Sequence, residues 1–228
     1  MLFRSPTPQS PVAARLALAD TAAAAAVAYV GRPCQYLEPI VLSECAPALW
    51  ADERFGEKAI AMTGAAIDRL LAEFPASRRV NLVGFSGGGT LALLVAAGRA
   101  DIDCVVTIAS PIDIDAWADL SGFARLAGSR NPAAPAPTLS RLRQTHIYGA
   151  ADRVVPVAAV GNYRNFSSES SVKIFSGNRG HSDWERFWPA IRESTCLHTS
   201  PAGGVTVLSA FRIAEGDEHV VARCEVHH

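Results

Sequence analysis

The chain has little net charge and no long run of apolar residues. Its 228 residues include 21 Lys and Arg and 22 Asp and Glu, which gives a formal net charge of −1. Without a basic surplus, the composition gives no electrostatic argument for nucleic acid or an anionic membrane surface as a partner. The alanine-rich stretch of residues 21–30 is too short to cross a membrane. The sequence therefore predicts neither nucleic-acid binding nor a transmembrane segment, and it leaves the oligomeric state open.

Cysteine is scarce and its number is odd, five in total. At least one thiol is therefore unpaired unless it pairs between chains. Cys34 and Cys45 could close a short loop, or both could be free thiols of a cytosolic protein, and their spacing leaves the two interpretations open. Neither the cysteine spacing nor the neighbouring histidines are typical of a zinc site. The sequence predicts no metal and no organic cofactor.

What the chain does contain is an alternation of strand and helix patterns. A hydrophobic content of 49% and a charged content of 19% describe an ordinary globular protein, and the length suits one α/β domain. The alternation predicts an α/β fold with a mostly parallel sheet and helices on both faces. The predicted strands are residues 25–30, 80–85, 104–109, 144–148 and 172–175, and the predicted helices are residues 11–19, 57–74, 90–98, 155–166 and 184–196.

The last part of the chain departs from this alternation. Residues 205–213 and 219–226 have the pattern of two strands around Glu215-Gly216-Asp217, a turn-like sequence that favours a hairpin. We therefore expect one domain over residues 1–199. The tail, residues 200–228, is expected to be either an accessory hairpin or a non-native extension.

One serine stands at the junction of a predicted strand and a predicted helix. The strand pattern of residues 80–85 leads into Gly84-Phe85-Ser86-Gly87-Gly88. This G-x-S-x-G pattern is typical of a nucleophile elbow, in which a sharp turn needs neighbours without bulky side chains. The N–H of Gly87 and the positive end of the following helix would face a developing oxyanion. The alternative is that Ser86 only caps the helix.

A serine hydroxyl needs a base within hydrogen-bond reach and a third group that orients the base. Asp152 and His181 each follow a later predicted strand, and carboxyl ends of parallel strands meet at one edge of a sheet. We therefore expect both side chains near Ser86. Asp152 could instead cap a helix, and Asp113, which follows the strand of residues 104–109, is the alternative acid.

Three motifs together resemble the α/β-hydrolase family over about residues 25–191. The first is the glycine-flanked serine of residues 84–88. The second is the spacing Gly149-x-x-Asp152-x-x-x-Pro156, and the third is Gly180-His181. A joint match of three motifs in the family's order is far more specific than any one of them.

The resemblance implies a serine hydrolase that cleaves an ester or related acyl bond of a small molecule. It implies that Ser86 is the nucleophile, that His181 is the general base and then acid, and that Asp152 orients His181. Gly87 would donate to the oxyanion. The alternative is a non-catalytic binding protein on the same scaffold, because a fold does not by itself establish a function.

A narrower resemblance rests on Gly31-Arg32-Pro33-Cys34-Gln35-Tyr36, followed by Leu49-Trp50 and Arg54-Phe55. These segments are similar to those of a bacterial group of α/β-hydrolase-like proteins. The resemblance implies a bridge between Cys34 and Cys45. Arg32 follows the predicted strand that precedes the strand leading to Ser86, so it either lines the active-site mouth as a substrate-binding residue or, with Tyr36, only braces a long loop. Members often carry an export or lipoprotein signal, so the sequence leaves the location unknown: we expect a cytoplasmic protein for the chain as it stands, and a periplasmic or lipoprotein-anchored one if a signal precedes it.

The chain departs from the family at its beginning. Only ten residues precede the first predicted helix, so the α/β-hydrolase fold would lack its first strands and its second oxyanion donor. The opening Leu2-Phe3-Arg4-Ser5 is also what a common sequencing-adaptor end encodes, which suggests a gene fragment.

A lid is expected over residues 113–137, where Trp117, Phe123 and Leu126 form either an apolar acyl wall or part of the core.

Overall fold

The computed structural model describes residues 11–20, 26–35, 45–75, 79–176, 179–200 and 205–210. Within these ranges, six strands form one sheet in which every neighbouring pair is parallel. The strands are β1 (Ala26–Gly31), β2 (Val80–Phe85), β3 (Ile102–Ile108), β4 (Arg143–Gly149), β5 (Ser171–Phe175) and β6 (Val205–Ala210).

Helices cover both faces of this sheet. The helices are α1 (Val12–Ala19), α2 (Glu57–Glu73), α3 (Gly87–Ala97), α4 (Ile114–Ser121) and α5 (Trp188–Arg192). Ile67 of α2 and Leu91 of α3 pack with Leu82 and Val105 on one face. Leu16 of α1 and Trp188 of α5 pack with the side chains of β2 and β3 that point the other way. The predicted α/β fold with a parallel sheet and helices on both faces is therefore confirmed.

The strand order corrects the hairpin predicted for the tail. The sheet runs β1-β6-β2-β3-β4-β5, so residues 205–210 lie between β1 and β2, parallel to both. Both edges of β6 are occupied, and it cannot be half of a hairpin. Val205 and Val207 are buried there, and the strand satisfies backbone groups that β1 and β2 would otherwise leave unpaired. Residues 219–226 lie outside the described residues.

Two helix predictions are wrong in extent. Residues 155–166 form only a short 3-10 turn, Val157–Val160, because Gly161 follows with a φ of +51°. A side chain at Gly161 would overlap the Asp113 carboxylate, so only glycine fits where the chain leaves this turn. Residues 184–196 divide into a 3-10 turn, Trp184–Arg186, and the short helix α5.

Two disulfides lie within the described residues, one closing a short loop and one joining distant parts of the chain. Cys34 is bonded to Cys45, the bridge that the narrower resemblance implied. Cys104 of β3 is bonded to Cys196, which lies beyond α5 and 92 residues along the chain. No spacing in the sequence predicts this second pairing. Cys224 lies outside the described residues.

Candidate active site

Ser86 occupies a strained turn between β2 and α3. Its φ is +53°, a value that residues with side chains rarely adopt. A Cβ on Gly84 would overlap the backbone of Gly89, and a Cβ on Gly89 would overlap the side chain of Ser110. Glycine is therefore required where the strand and the helix approach each other. The Ser86 N–H donates to the carbonyl of Ile108 at 2.8 Å, which anchors the turn to β3.

Ser86, His181 and Asp152 form one hydrogen-bonded series. The His181 Nε2 lies 3.1 Å from the Ser86 Oγ, and the His181 Nδ1 lies 2.9 Å from the Asp152 Oδ2. A carboxylate can only accept, so a neutral imidazole donates from Nδ1 and keeps Nε2 as the acceptor for the serine hydroxyl. The three residues follow β2, β4 and β5, as expected from the carboxyl ends of parallel strands.

The Asp152 carboxylate is held on its other side by backbone amides. Its Oδ1 accepts from the N–H groups of Val154 at 2.8 Å and Val155 at 2.9 Å. The side chain is fully buried, and the three hydrogen bonds stabilise its negative charge and fix its orientation. The sequence pattern located Asp152, but the two amides that orient it carry no sequence signal.

The His181 loop is fixed against β4 and against a buried tryptophan. The Ala151 N–H donates to the carbonyl of Arg179, and a Cβ on Gly149 would overlap that same carbonyl. The indole N–H of the buried Trp184 donates to the carbonyl of His181 at 3.1 Å. These contacts hold the imidazole between the two other groups.

Asp113, the alternative acid, has a structural position. It caps α4, where its Oδ1 accepts from the N–H groups of Asp115 and Ala116, and it also accepts from Asn131 and from the N–H of Asn162. Burial acts to raise the pKa of Asp113, but these four hydrogen bonds outweigh it and the pKa lies below its usual range. Both carboxylate oxygens are occupied by these donors. The geometry therefore favours Asp152 as the partner of His181.

The other predicted site residues have different surroundings. Gly87 is the first residue of α3, so its N–H has no acceptor within the helix and lies next to Ser86. Arg32 is buried, donates from Nη2 to the carbonyl of Arg54 at 2.9 Å and lies over the ring of Phe55. Burial, together with the nearby Arg54 charge, lowers the pKa of Arg32 to about 9. These contacts favour the interpretation that Arg32 braces its loop.

The predicted lid divides into a helix and an irregular segment. Trp117, on α4, is buried against Tyr148 and Val155 and so belongs to the core. Leu126 is partly buried against the same group, whereas Phe123 is exposed. Of the three proposed acyl-wall residues, only Phe123 is largely open to solvent.

The described residues give no sign of a metal centre or a membrane span. No three or more His, Cys, Asp or Glu side chains within them are grouped to hold a metal ion. No helix in this part of the chain combines the length and apolar character that a bilayer crossing requires.

Comparisons with known proteins find similarity only at the level of three-dimensional structure. No protein-family model matches the chain, and no curated protein matches it in sequence. Among 85 matching chains of solved structure are an esterase from Pyrococcus furiosus, an esterase domain from Rhodothermus marinus and an α/β hydrolase from the metagenome of lagoon sediments at Mar Chica, Morocco.

The identities of these three to the chain are low, at 20%, 18% and 14% in that order, and each has a TM-score of 0.48. The matches cover 61%, 78% and 77% of this chain. They span 59% of the Pyrococcus esterase and 90% of each of the other two structures. An acetyl xylan esterase from Thermoanaerobacterium is matched over 45% of its length.

Proposed function

We propose that the protein is a serine hydrolase that cleaves an ester or related acyl bond of a small molecule. The observation that supports this most directly is the placement of His181 within hydrogen-bond distance of both the Ser86 hydroxyl and the Asp152 carboxylate. A buried carboxylate, an oriented imidazole and a strained serine are together the groups that nucleophilic acyl transfer requires.

In the first half of the proposed reaction, the Ser86 Oγ attacks the substrate carbonyl carbon while the His181 Nε2 takes the hydroxyl proton. The carbonyl oxygen becomes an oxyanion, which the Gly87 N–H and the positive end of α3 stabilise. The tetrahedral intermediate then collapses. The bond from the carbonyl carbon to the leaving oxygen breaks, and that oxygen takes the proton from His181 and departs as an alcohol.

In the second half, water replaces the alcohol. His181 takes a proton from the water molecule while the water oxygen attacks the acyl carbon, and a second tetrahedral intermediate forms. The bond to the Ser86 Oγ then breaks, and the serine oxygen recovers a proton from His181 as the carboxylic acid is released. Asp152 keeps the imidazole in the productive tautomer and stabilises the imidazolium in both halves.

A fluorophosphonate probe tests this proposal, because it reacts covalently with an activated serine. We expect the folded protein to be labelled, the Ser86→Ala variant to be unlabelled, and the His181→Ala variant to react far more slowly. Ser182→Ala, at an exposed serine next to His181, is the matched control and should be labelled normally. A folded wild-type chain that is not labelled would instead favour the non-catalytic binding protein.

A further inference from the structure

A cavity of about 550 Å³ lies against the segment that follows β5. The residues that line it include three with charged side chains, Arg179, Asp183 and Arg186, together with Phe187 and two serines. The volume suits one small molecule. None of the three proposed catalytic residues is among those that line it, so it is a separate space, which we refer to as the loop cavity.

The lining of the loop cavity carries a net positive charge. It holds two arginines, Arg179 and Arg186, and one acid, Asp183. Within the described residues, neither arginine has a carboxylate within ion-pair distance. Arg143 and Arg192, which are partly buried like Arg179, each pair with an aspartate. The loop cavity therefore lacks the internal anion that the other two sites have.

The Arg179 side chain is held in a position that leaves donors available. The centre of its guanidinium lies over the Phe187 ring, 3.2 Å from the ring centroid, and 5.9 Å from the Trp184 ring. Its Nη1 is buried and has no hydrogen-bond acceptor among the described residues. A guanidinium stacked on an aromatic ring keeps the N–H groups in its plane for a partner at its edge. Carboxylates and phosphates fit this edge with two parallel hydrogen bonds.

The backbone on both sides of the loop cavity is anchored to the core. The carbonyl of Arg179 accepts from the Ala151 N–H at 3.0 Å, next to the end of β4. The N–H of Phe187 donates to the carbonyl of the buried Trp184 at 3.1 Å. The guanidinium and the ring beneath it are thus positioned before a ligand arrives, which lowers the entropic cost of binding.

We propose that the loop cavity binds a small anion through a phosphate or carboxylate group. Arg179 is its principal donor, and Arg186 supplies a second positive charge. The Asp183 carboxylate opposes binding, but the two arginines outnumber it. The anion is either a free ligand or the charged end of an ester. The site itself does not depend on the proposed function, because the catalytic residues do not line it.

Calorimetric titration of the full chain with inorganic phosphate, in Tris buffer at low salt, tests the anion site. We expect one phosphate per chain, with an affinity that falls as NaCl is added. Arg179→Gln should weaken binding by about tenfold or more, because it removes charge-assisted hydrogen bonds. Arg69→Gln, at an exposed arginine of α2, makes the same charge change as a matched control and should leave binding unchanged.

Asp183→Asn should have the opposite effect. Removing a carboxylate from the lining should strengthen phosphate binding by about threefold. The φ of Asp183 is +65°, a value that asparagine also adopts, so the backbone is expected to keep its shape. A misfolded variant cannot produce such a gain, and circular dichroism checks the fold of Arg179→Gln.

Two esters distinguish the sources of the anion: p-nitrophenyl butyrate and mono-p-nitrophenyl succinate, whose acyl chain ends in a carboxylate. If the loop cavity takes the charged end of an ester, Arg179→Gln lowers kcat/KM for the succinate ester by about tenfold and spares the butyrate. If it takes a free ligand, the variant treats both esters alike while phosphate binding still depends on Arg179. Either result supports the anion site.

Three results would show that the loop cavity is not an anion site. These are the absence of phosphate binding, equal binding by Arg179→Gln and Arg69→Gln, and weaker binding by Asp183→Asn. A chain that binds phosphate as expected but cleaves neither ester and is not labelled at Ser86 would refute the proposed function alone.

Discussion

Ala210 pairs with Phe85 in neighbouring parallel strands, so a strand from late in the chain lies beside the residue that precedes Ser86. On its other side, Phe85 pairs with Ile108 of β3. The strand that carries the candidate nucleophile is therefore held between β6 and β3. This arrangement makes β6 part of the structural support of the site rather than an appendage.

The place of β6 in the sheet predicts a strong effect of a small substitution there. Val207 is 3% exposed and pairs with Leu82, whereas Val172 on the edge strand β5 is 40% exposed. We expect Val207→Ala to lower the free energy of unfolding by about 2 kcal/mol, because it leaves a cavity in the core. Val172→Ala should change it by less than about 0.5 kcal/mol. Urea denaturation measures both, and equal effects would contradict the position of β6.

The assignment of the acid predicts opposite behaviour of two aspartates. The Asp152→Asn variant replaces the carboxylate that accepts from the His181 N–H by an amide. An amide can also donate, so it can favour the wrong tautomer of the His181 imidazole. We expect kcat for ester hydrolysis to fall by up to about 10⁴-fold, the effect of this change in serine proteases. Asp113→Asn should instead weaken the cap of α4 and reduce stability. A large rate loss in Asp113→Asn with a normal rate in Asp152→Asn would reverse the assignment.

Much of the fold and the candidate site could be predicted because the signals are local. The apolar run of residues 80–85 predicts the strand that forms β2, and the periodicity of residues 57–74 predicts the helix α2 (Glu57–Glu73). The glycine pattern around Ser86 and the loop motifs around Asp152 and His181 are likewise contained in a few neighbouring residues. Strand ends in a parallel sheet then bring such motifs to one edge.

The features that the sequence did not predict depend on contacts between distant residues. The position of β6 depends on pairing with both β1 and β2, and the bridge from Cys104 to Cys196 depends on the packing of the segment after α5 against β3. Glycine is required at position 161, after the turn Val157–Val160, because Asp113, far away in the chain, occupies the space of a side chain. No periodicity or spacing near these residues carries that information.

The buried histidine of β4 predicts a specific dependence of stability on pH. His146 contacts Thr107 through Nδ1 and Gln144 through Nε2, and burial lowers its pKa to about 3. Between this value and the unfolded value near 6.5, only the unfolded chain binds the proton, so stability falls as the pH falls. The contribution is up to about 1.4 kcal/mol per pH unit.

A His146→Gln variant removes this titration. We expect the free energy of unfolding of the wild-type chain to fall more steeply between pH 6 and pH 4 than that of the variant. Chemical denaturation at several pH values gives both slopes. Equal slopes would show that His146 is not held neutral in the folded chain.

The two disulfides predict a pattern of chemical protection. In the oxidised, unfolded chain, Cys34, Cys45, Cys104 and Cys196 should resist alkylation, and all four should react after reduction. Peptide mass spectrometry distinguishes the two states. The double variant Cys104→Ala/Cys196→Ala should lose about 4 kcal/mol of stability, more than Cys34→Ala/Cys45→Ala, because its bridge closes the longer loop. Alkylation of Cys104 without reduction would contradict the second bridge.

Acid-quench mass spectrometry can show whether Ser86 carries the acyl group during turnover. The protein is mixed with p-nitrophenyl butyrate and quenched within milliseconds to seconds. We expect a butyryl adduct on the peptide that contains Ser86, absent in Ser86→Ala and formed more slowly in Asp152→Asn. Hydrolysis of the ester with no adduct on Ser86, or with an undiminished rate in Ser86→Ala, would show that Ser86 is not the nucleophile.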